Sequence, residues 1–274
     1  MDARSTRRQV SNPGMRTLGK PVAVCTEESW LDLLRPERER QAELQAAHDG
    51  GLWIDETEGL LFALAQAVEQ RDRFMIGHCE RLAFMGVAMG VVMRLERTNL
   101  LALYRGGYLH DVGKLGIPDS ILFNPGALTA QEWAIMRTHP ARGEEICRHL
   151  NSLRPVLPII RHHHERFDGS GYPDGLRGEQ IPLLARVMQI ADIYDALTSP
   201  RSYKRAYSPA EALETIQKET GRGWRDPQMV KLFLRLHTHV LSQHTCHAAE
   251  IGHSLEALRA SLATLQDFPA DSVA

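Results

Sequence analysis

At 274 residues with 43% hydrophobic content, the chain can bury one sizeable core and is too short for a multi-domain machine. Lys+Arg total 32 and Asp+Glu 34, and the formal net charge of −2 excludes an overall basic field able to hold a long nucleic acid, so an anionic ligand must be captured locally. Cys25, Cys79, Cys147 and Cys246 show no CxxC spacing and read as reduced thiols, which points to the cytoplasm.

The opening MDARSTRRQV carries charge with no apolar stretch behind it. The longest apolar run, Phe84 to Met93, is about half a membrane span, so neither a secretory leader nor membrane insertion is predicted. Residues 1 to 27 are polar and broken at Asn12-Pro13-Gly14, the composition of a loose arm. Residues 36–48 alternate charges and read as a short exposed helix ended by Asp49-Gly50-Gly51, where a homodimer or signalling partner would dock. From Glu56 onward Leu60, Leu61, Leu64 and Val68 recur at helical spacing. The expected organisation is an arm and linker helix over 1–55, a helical core domain over 56–240, and a helical tail over 241–274.

Further along, Thr129 with Glu132 and Ser208 with Glu211 form capping boxes, and His139-Pro140 and Asp226-Pro227 suggest a cap followed by proline. Met85, Met89 and Met93, four residues apart, read as core filling. No segment alternates with a period of two between turn signals, so the fold class is all-α, with about eight to ten helices.

The chemistry concentrates in one stretch. His110-Asp111 ends a helical segment, and an imidazole beside a carboxylate can enter one metal site while the carboxylate bridges to a second ion. His78, His139, His163, His164 and Asp192 keep it company, each on or at the mouth of a predicted helix, and bundles build metal sites from inward side chains of facing helices. Taken singly, each has a plainer reading: a core histidine at 78, a neighbour of a helix cap at 139, a solvated run at 162–164. The span from Glu165 to Gly175 is rich in glycine and proline and makes a shaped loop, either an ordinary turn or one that approaches a ligand. Asp195, one helical turn after Asp192, is either an orienting partner for a ligand or a helix-surface residue.

The runs HDVGK (110–114), HHERFDGSGYP (163–173) and ADIYDALTSPRSYK (191–204) resemble the signature of the HD-GYP phosphodiesterases, with the likeness reaching from about residue 60 to 235. The resemblance implies an HD-type helical bundle that hydrolyses cyclic di-GMP to pGpG, with continuation to GMP an open question. His78, His110, Asp111, His139, His163, His164 and Asp192 would be metal ligands, with Asp111 bridging. Lys114 would meet the substrate phosphate. Gly171, Tyr172 and Pro173 would form the substrate loop, and Arg201 and Lys204 would hold the nucleotide phosphates. Asp111 and Lys114 are thus the catalytic pair expected. Imidazole and carboxylate ligands suit iron or manganese.

Phe74 stands where many family members carry a glutamate that helps hold a third metal, so two divalent ions are expected. Asn124 and Ser202 replace a more usual lysine and proline. The alternatives are a cyclic-dinucleotide sensor or scaffold with weak hydrolysis, and an HD phosphohydrolase acting on another nucleotide. His237, His239, His244, His247 and His253 in the tail have the spacing of an exposed helix face.

Overall fold

The computed structural model describes residues 52–70, 77–200 and 205–238. Among these residues there is no strand, and the all-α expectation holds. Ten α-helices follow one another: α1 (Leu52–Gln70), α2 (His78–Val92), α3 (Arg97–Leu109), α4 (Asp119–Leu122), α5 (Ala130–Met136), α6 (His139–Cys147), α7 (Leu157–His162), α8 (Leu183–Thr198), α9 (Pro209–Gly221) and α10 (Pro227–Leu236). Short 3₁₀ turns at Val112–Gly116, Asn151–Leu153 and Gly178–Gln180 connect them. The expected arm, the 36–48 helix, Phe74, Arg201, Lys204 and the tail beyond residue 238 lie outside the described residues.

Helix α2 is the centre of the bundle. Leu82, Met85, Val87, Ala88 and Met89 are all buried, so it has almost no polar face. It packs chiefly on α3 and is crossed by α8, whose Val187, Met188 and Ile190 are also buried. Burying a side chain of this size stabilises by about 2 kcal/mol. Met85 and Met89 fill the core as expected, and Met93 packs at its edge.

Both predicted capping boxes are closed, with Thr129 accepting from the Glu132 amide and Ser208 from the Glu211 amide. The pattern at His139 is different. Thr138 takes the N-cap position without a side-chain cap, and its hydroxyl donates to Ile135 O at 2.7 Å. His139 is instead the first residue of α6 and is turned into the core. His237 also departs from expectation. It is buried, not on an exposed face, because its Nε2 meets the Tyr194 hydroxyl at 2.7 Å beneath Phe233. Among the described residues no helix is long and apolar enough to cross a membrane.

Asp226 caps α10 through its Oδ1, which accepts from Gln228 N at 2.8 Å, while Oδ2 accepts from Arg186 at 2.6 Å. Asp226→Ala removes a cap worth about 1 kcal/mol and leaves a largely buried guanidinium unpaired, for a combined loss of about 2–4 kcal/mol in urea unfolding. Asp226→Asn retains an acceptor for the cap and should fall between wild type and alanine; equal losses in the two variants would exclude the cap contribution.

Candidate metal centre

The seven predicted ligands come from the ends and middles of separate elements. His78 opens α2, His110 and Asp111 follow α3, His139 opens α6, His163 and His164 follow α7, and Asp192 lies within α8. The fold brings all seven together in two adjacent groups. Asp111, His139, His163 and His164 form one, and His78, His110 and Asp192 the other, with the ligand-type atoms of each group lying within 4.8 Å of one another. Asp111 joins the groups: its Oδ1 is 3.1 Å from His139 Nε2, and its Oδ2 is 3.3 Å from His110 Nε2.

Local structure decides how the rings point. The last carbonyls of a helix have no intrahelical donor, and three histidines supply one. His110 Nδ1 donates to Gly107 O at 3.0 Å, His139 Nδ1 to Met136 O at 2.9 Å, and His163 Nδ1 to Ile160 O at 2.9 Å. Each bond reaches back three residues, to the end of the preceding helix. His78 Nδ1 donates to the Asp195 carboxylate at 2.7 Å. Carbonyls and carboxylates only accept, so each Nδ1 carries a proton and Nε2 is the ring nitrogen that faces inward, free to ligate once it holds no proton of its own.

Those Nε2 atoms converge. The Nε2 atoms of His78 and His110 lie 3.4 Å apart, as do those of His139 and His163. Asp111 Oδ1 is buried and receives no hydrogen bond. Two Nε2 atoms at this range repel unless a proton or a metal cation lies between them, and imidazole with carboxylate is a donor set for divalent transition metals. The residues therefore fit a metal. The local field agrees: burial opposes charge on His110, yet neighbouring Asp111 and Asp192 raise its pKa to about 9, so the site attracts a cation. Burial, reinforced by the adjacent His163 and His139, keeps His164 neutral. Asp111 stays ionised despite burial because Lys114 and His110 face it, the Lys114 ammonium at 2.5 Å from Oδ2.

Supporting contacts lock this arrangement. Asp195, which the sequence left open between orienting and surface duty, holds His78 and accepts from Arg81 as well. Burial raises its carboxyl pKa, but the bonds from His78 and Arg81 outweigh that and hold it well below the usual range. Arg81, Glu165 and Gln189 were not singled out by the sequence. Glu165 is fully buried and accepts from the Asp174 and Leu176 amides at 2.7 and 3.2 Å, which folds the glycine-rich loop back on itself, and Gln189 from α8 bonds the Glu165 carbonyl. A third grouping, His162, Glu165 and Asp174, has its carboxylates occupied by these amides and by Arg161, so it serves the loop.

Two glycines are required by close approach. A Cβ on Gly113 would lie 1.9 Å from His139 O, and one on Gly171 would lie 2.2 Å from Arg166 N. Gly113 thus lets the turn after Asp111 press on the start of α6, and Gly171 packs the loop against the backbone after His164. Tyr172 places its ring 4.9 Å from that of His164, ahead of Pro173. Burial and the charges of Asp111 and Asp192 raise its phenol pKa, so it remains a donor.

Gly113→Ala must push Asp111 away from His139. The expected result is metal content below about half of wild type by elemental analysis in protein that is still helical; unchanged content would show that the turn yields without disturbing the ligands. Asp111 and Asp192 favour a proton on His110, raising its pKa to about 9, and coordination through Nε2 has to displace that proton. Metal affinity should therefore strengthen as pH rises from about 6 towards about 9. Titration calorimetry at neutral pH in buffers of different ionisation enthalpy should show net proton release, and its absence would contradict a coordinating His110.

A family profile described as HD domain matches residues 63–229, more than half of the chain. The 3′3′-cGAMP-specific phosphodiesterase 2 of Vibrio cholerae is 40% identical over 179 residues, which is 64% of this chain and 34% of that protein. The cyclic di-GMP phosphodiesterase response regulator RpfG of Xanthomonas campestris is 40% identical over 177 residues, 64% of this chain and 47% of that protein. The chain spans less than half the length of these two relatives. Among solved structures, a cyclic GMP-AMP specific phosphodiesterase of V. cholerae shares the fold, with a TM-score of 0.50 at 23% identity over 78% of this chain and 54% of that one. The profile runs across every one of the converging ligands, and the chain belongs to the HD domain family, in its HD-GYP group.

Proposed function

We propose that this domain hydrolyses a phosphodiester bond of cyclic di-GMP, opening the ring to pGpG at a centre of two divalent ions. The observation that carries the reading is the Asp111 carboxylate, whose two oxygens face two separate imidazole groups. A metal pair clamps the attacking and leaving oxygens of a phosphodiester only when the two ions sit close together, and a carboxylate able to reach both would hold them so. Relatives named as cyclic di-GMP phosphodiesterases supply the substrate. His78, His110 and Asp192 would hold one ion, and His139, His163 and His164 the other, with Asp111 shared. Iron or manganese suits this set, and the aromatic Phe74, which cannot ligate, argues against a third ion.

Bound ions supply the Lewis acidity that activates water and offsets charge on the phosphoryl group. The chain's own residues do the rest. Lys114 keeps its ammonium beside the Asp111 carboxylate, at the centre, where negative charge grows as water adds to phosphorus and the bond to the 3′ oxygen breaks. Tyr172 keeps its hydroxyl protonated next to His164 and can donate to a substrate oxygen. The proton from water balances the departing 3′ alkoxide, leaving a 5′-phosphate and a 3′-hydroxyl. Arg201 and Lys204 are assigned to the nucleotide phosphates by family resemblance. The buried free thiols of Cys79 and Cys147 suit a cytoplasmic location.

A second substrate, 3′3′-cGAMP, is favoured by one specific observation, the relative of that specificity at 40% identity. Incubating manganese- or iron-loaded protein with cyclic di-GMP and with 3′3′-cGAMP, and separating the products, tests both. Cyclic di-GMP should yield pGpG, and Asp111→Ala should slow it by at least about a thousand-fold; tight binding with no product, or turnover indifferent to Asp111→Ala, would overturn the reaction. Elemental analysis of active protein should count two ions per chain, and a count of three would refute the role given to Phe74.

A further inference from the structure

Three successive contacts lead outward from the metal centre. The His164 and Tyr172 rings are 4.9 Å apart, the Arg137 guanidinium lies 5.3 Å from the Tyr172 ring, and the same guanidinium lies 5.8 Å from the Trp133 ring. Arg137 is thus set between two aromatic rings. They are the only partners of its guanidinium among the described residues, and no carboxylate or carbonyl takes its N–H groups. Trp133 is 47% exposed, although its side chain is among those that gain most from burial. Its place on α5 is nonetheless held firmly, because Glu132 beside it closes the capping box with Thr129. An exposed indole and an arginine with no hydrogen-bond acceptor among the described residues therefore stand one contact beyond Tyr172, which itself lies against His164.

We propose that Trp133 and Arg137 form a nucleobase subsite, with the indole stacking on a purine and Arg137 donating two hydrogen bonds to O6 and N7 of guanine; the proposal rests on the nucleotide-hydrolase reading above for the position of the phosphate. Aromatic side chains stack on bases irrespective of sequence. Arginine adds the discrimination, since guanine offers two adjacent acceptors on that edge while adenine replaces one with an amino donor. The phosphate already has Lys114 and the centre itself, so the guanidinium is left for the base. Trp133 would set how tightly a purine nucleotide is held, and Arg137 would set which purine.

Binding of mononucleotides separates this proposal from the reaction. Manganese-loaded protein is titrated by calorimetry with GMP, AMP and ribose 5-phosphate, which share a phosphate and differ in the base. GMP should bind at least about ten-fold more tightly than AMP. Arg137→Ala and Arg137→Lys should both erase that ratio, because lysine cannot make the bidentate contact. Trp133→Ala should weaken GMP and AMP alike by about ten-fold, with Trp133→Phe restoring most of the loss. Ribose 5-phosphate binding should be unchanged in every variant, which shows that fold and metals are intact. An unaltered GMP-to-AMP ratio in Arg137→Ala, or ribose 5-phosphate weakened in parallel with the nucleotides, would overturn the subsite. Failure to cleave cyclic di-GMP while this pattern holds would defeat the reaction and leave the subsite standing.

Discussion

The structure depends on one repeated bond, in which an imidazole just beyond a helix end donates its Nδ1 proton to a carbonyl three residues back. His110, His139 and His163 all make it. The bond satisfies a carbonyl that the finished helix leaves bare, and it fixes the ring so that Nε2 faces the interior. His78 reaches the same result through Asp195. Four Nε2 atoms and the Asp111 carboxylate are then gathered in one volume, an arrangement that favours a cation and constrains every helix that contributes to it.

The remainder of the bundle serves that convergence. Helix α2 can run through the middle because its faces are apolar, and α3 and α8 enclose it. Asp195 is held by Arg81, and Glu165 gathers the loop amides, so the polar groups nearest the centre are tied to fixed partners. A metal centre assembled from five elements needs such ties, since small shifts of one element change every ligand distance. Tyr172, Arg137 and Trp133 extend from His164 as a chain of planar groups in contact.

Much of this was legible in the residues. The capping boxes at Thr129 and Ser208 and the four-residue methionine spacing could be read because short-range patterns carry them, and the candidate ligands because their residue types stand out wherever they fall. The cap read at His139, which the sequence also offered as a ligand, and the exposed face read at His237 fail for a common cause. Each was judged from its neighbours in sequence, while contacts from distant elements, Asp111 in one case and Tyr194 in the other, drew the ring inside.

By itself the sequence determined the helical class and the family and offered the seven candidate ligands, because these depend on residue type and on motifs contiguous in the chain. Only the tertiary structure decided how the candidate ligands divide into two groups about Asp111, that Gly113 and Gly171 are demanded by backbone contact, and that Arg81, Glu165 and Gln189 support the site. The reason is separation along the chain. His78 and Asp195 are 117 residues apart and Gln189 and Glu165 are 24 apart, and contacts of that kind exist only once the helices have packed.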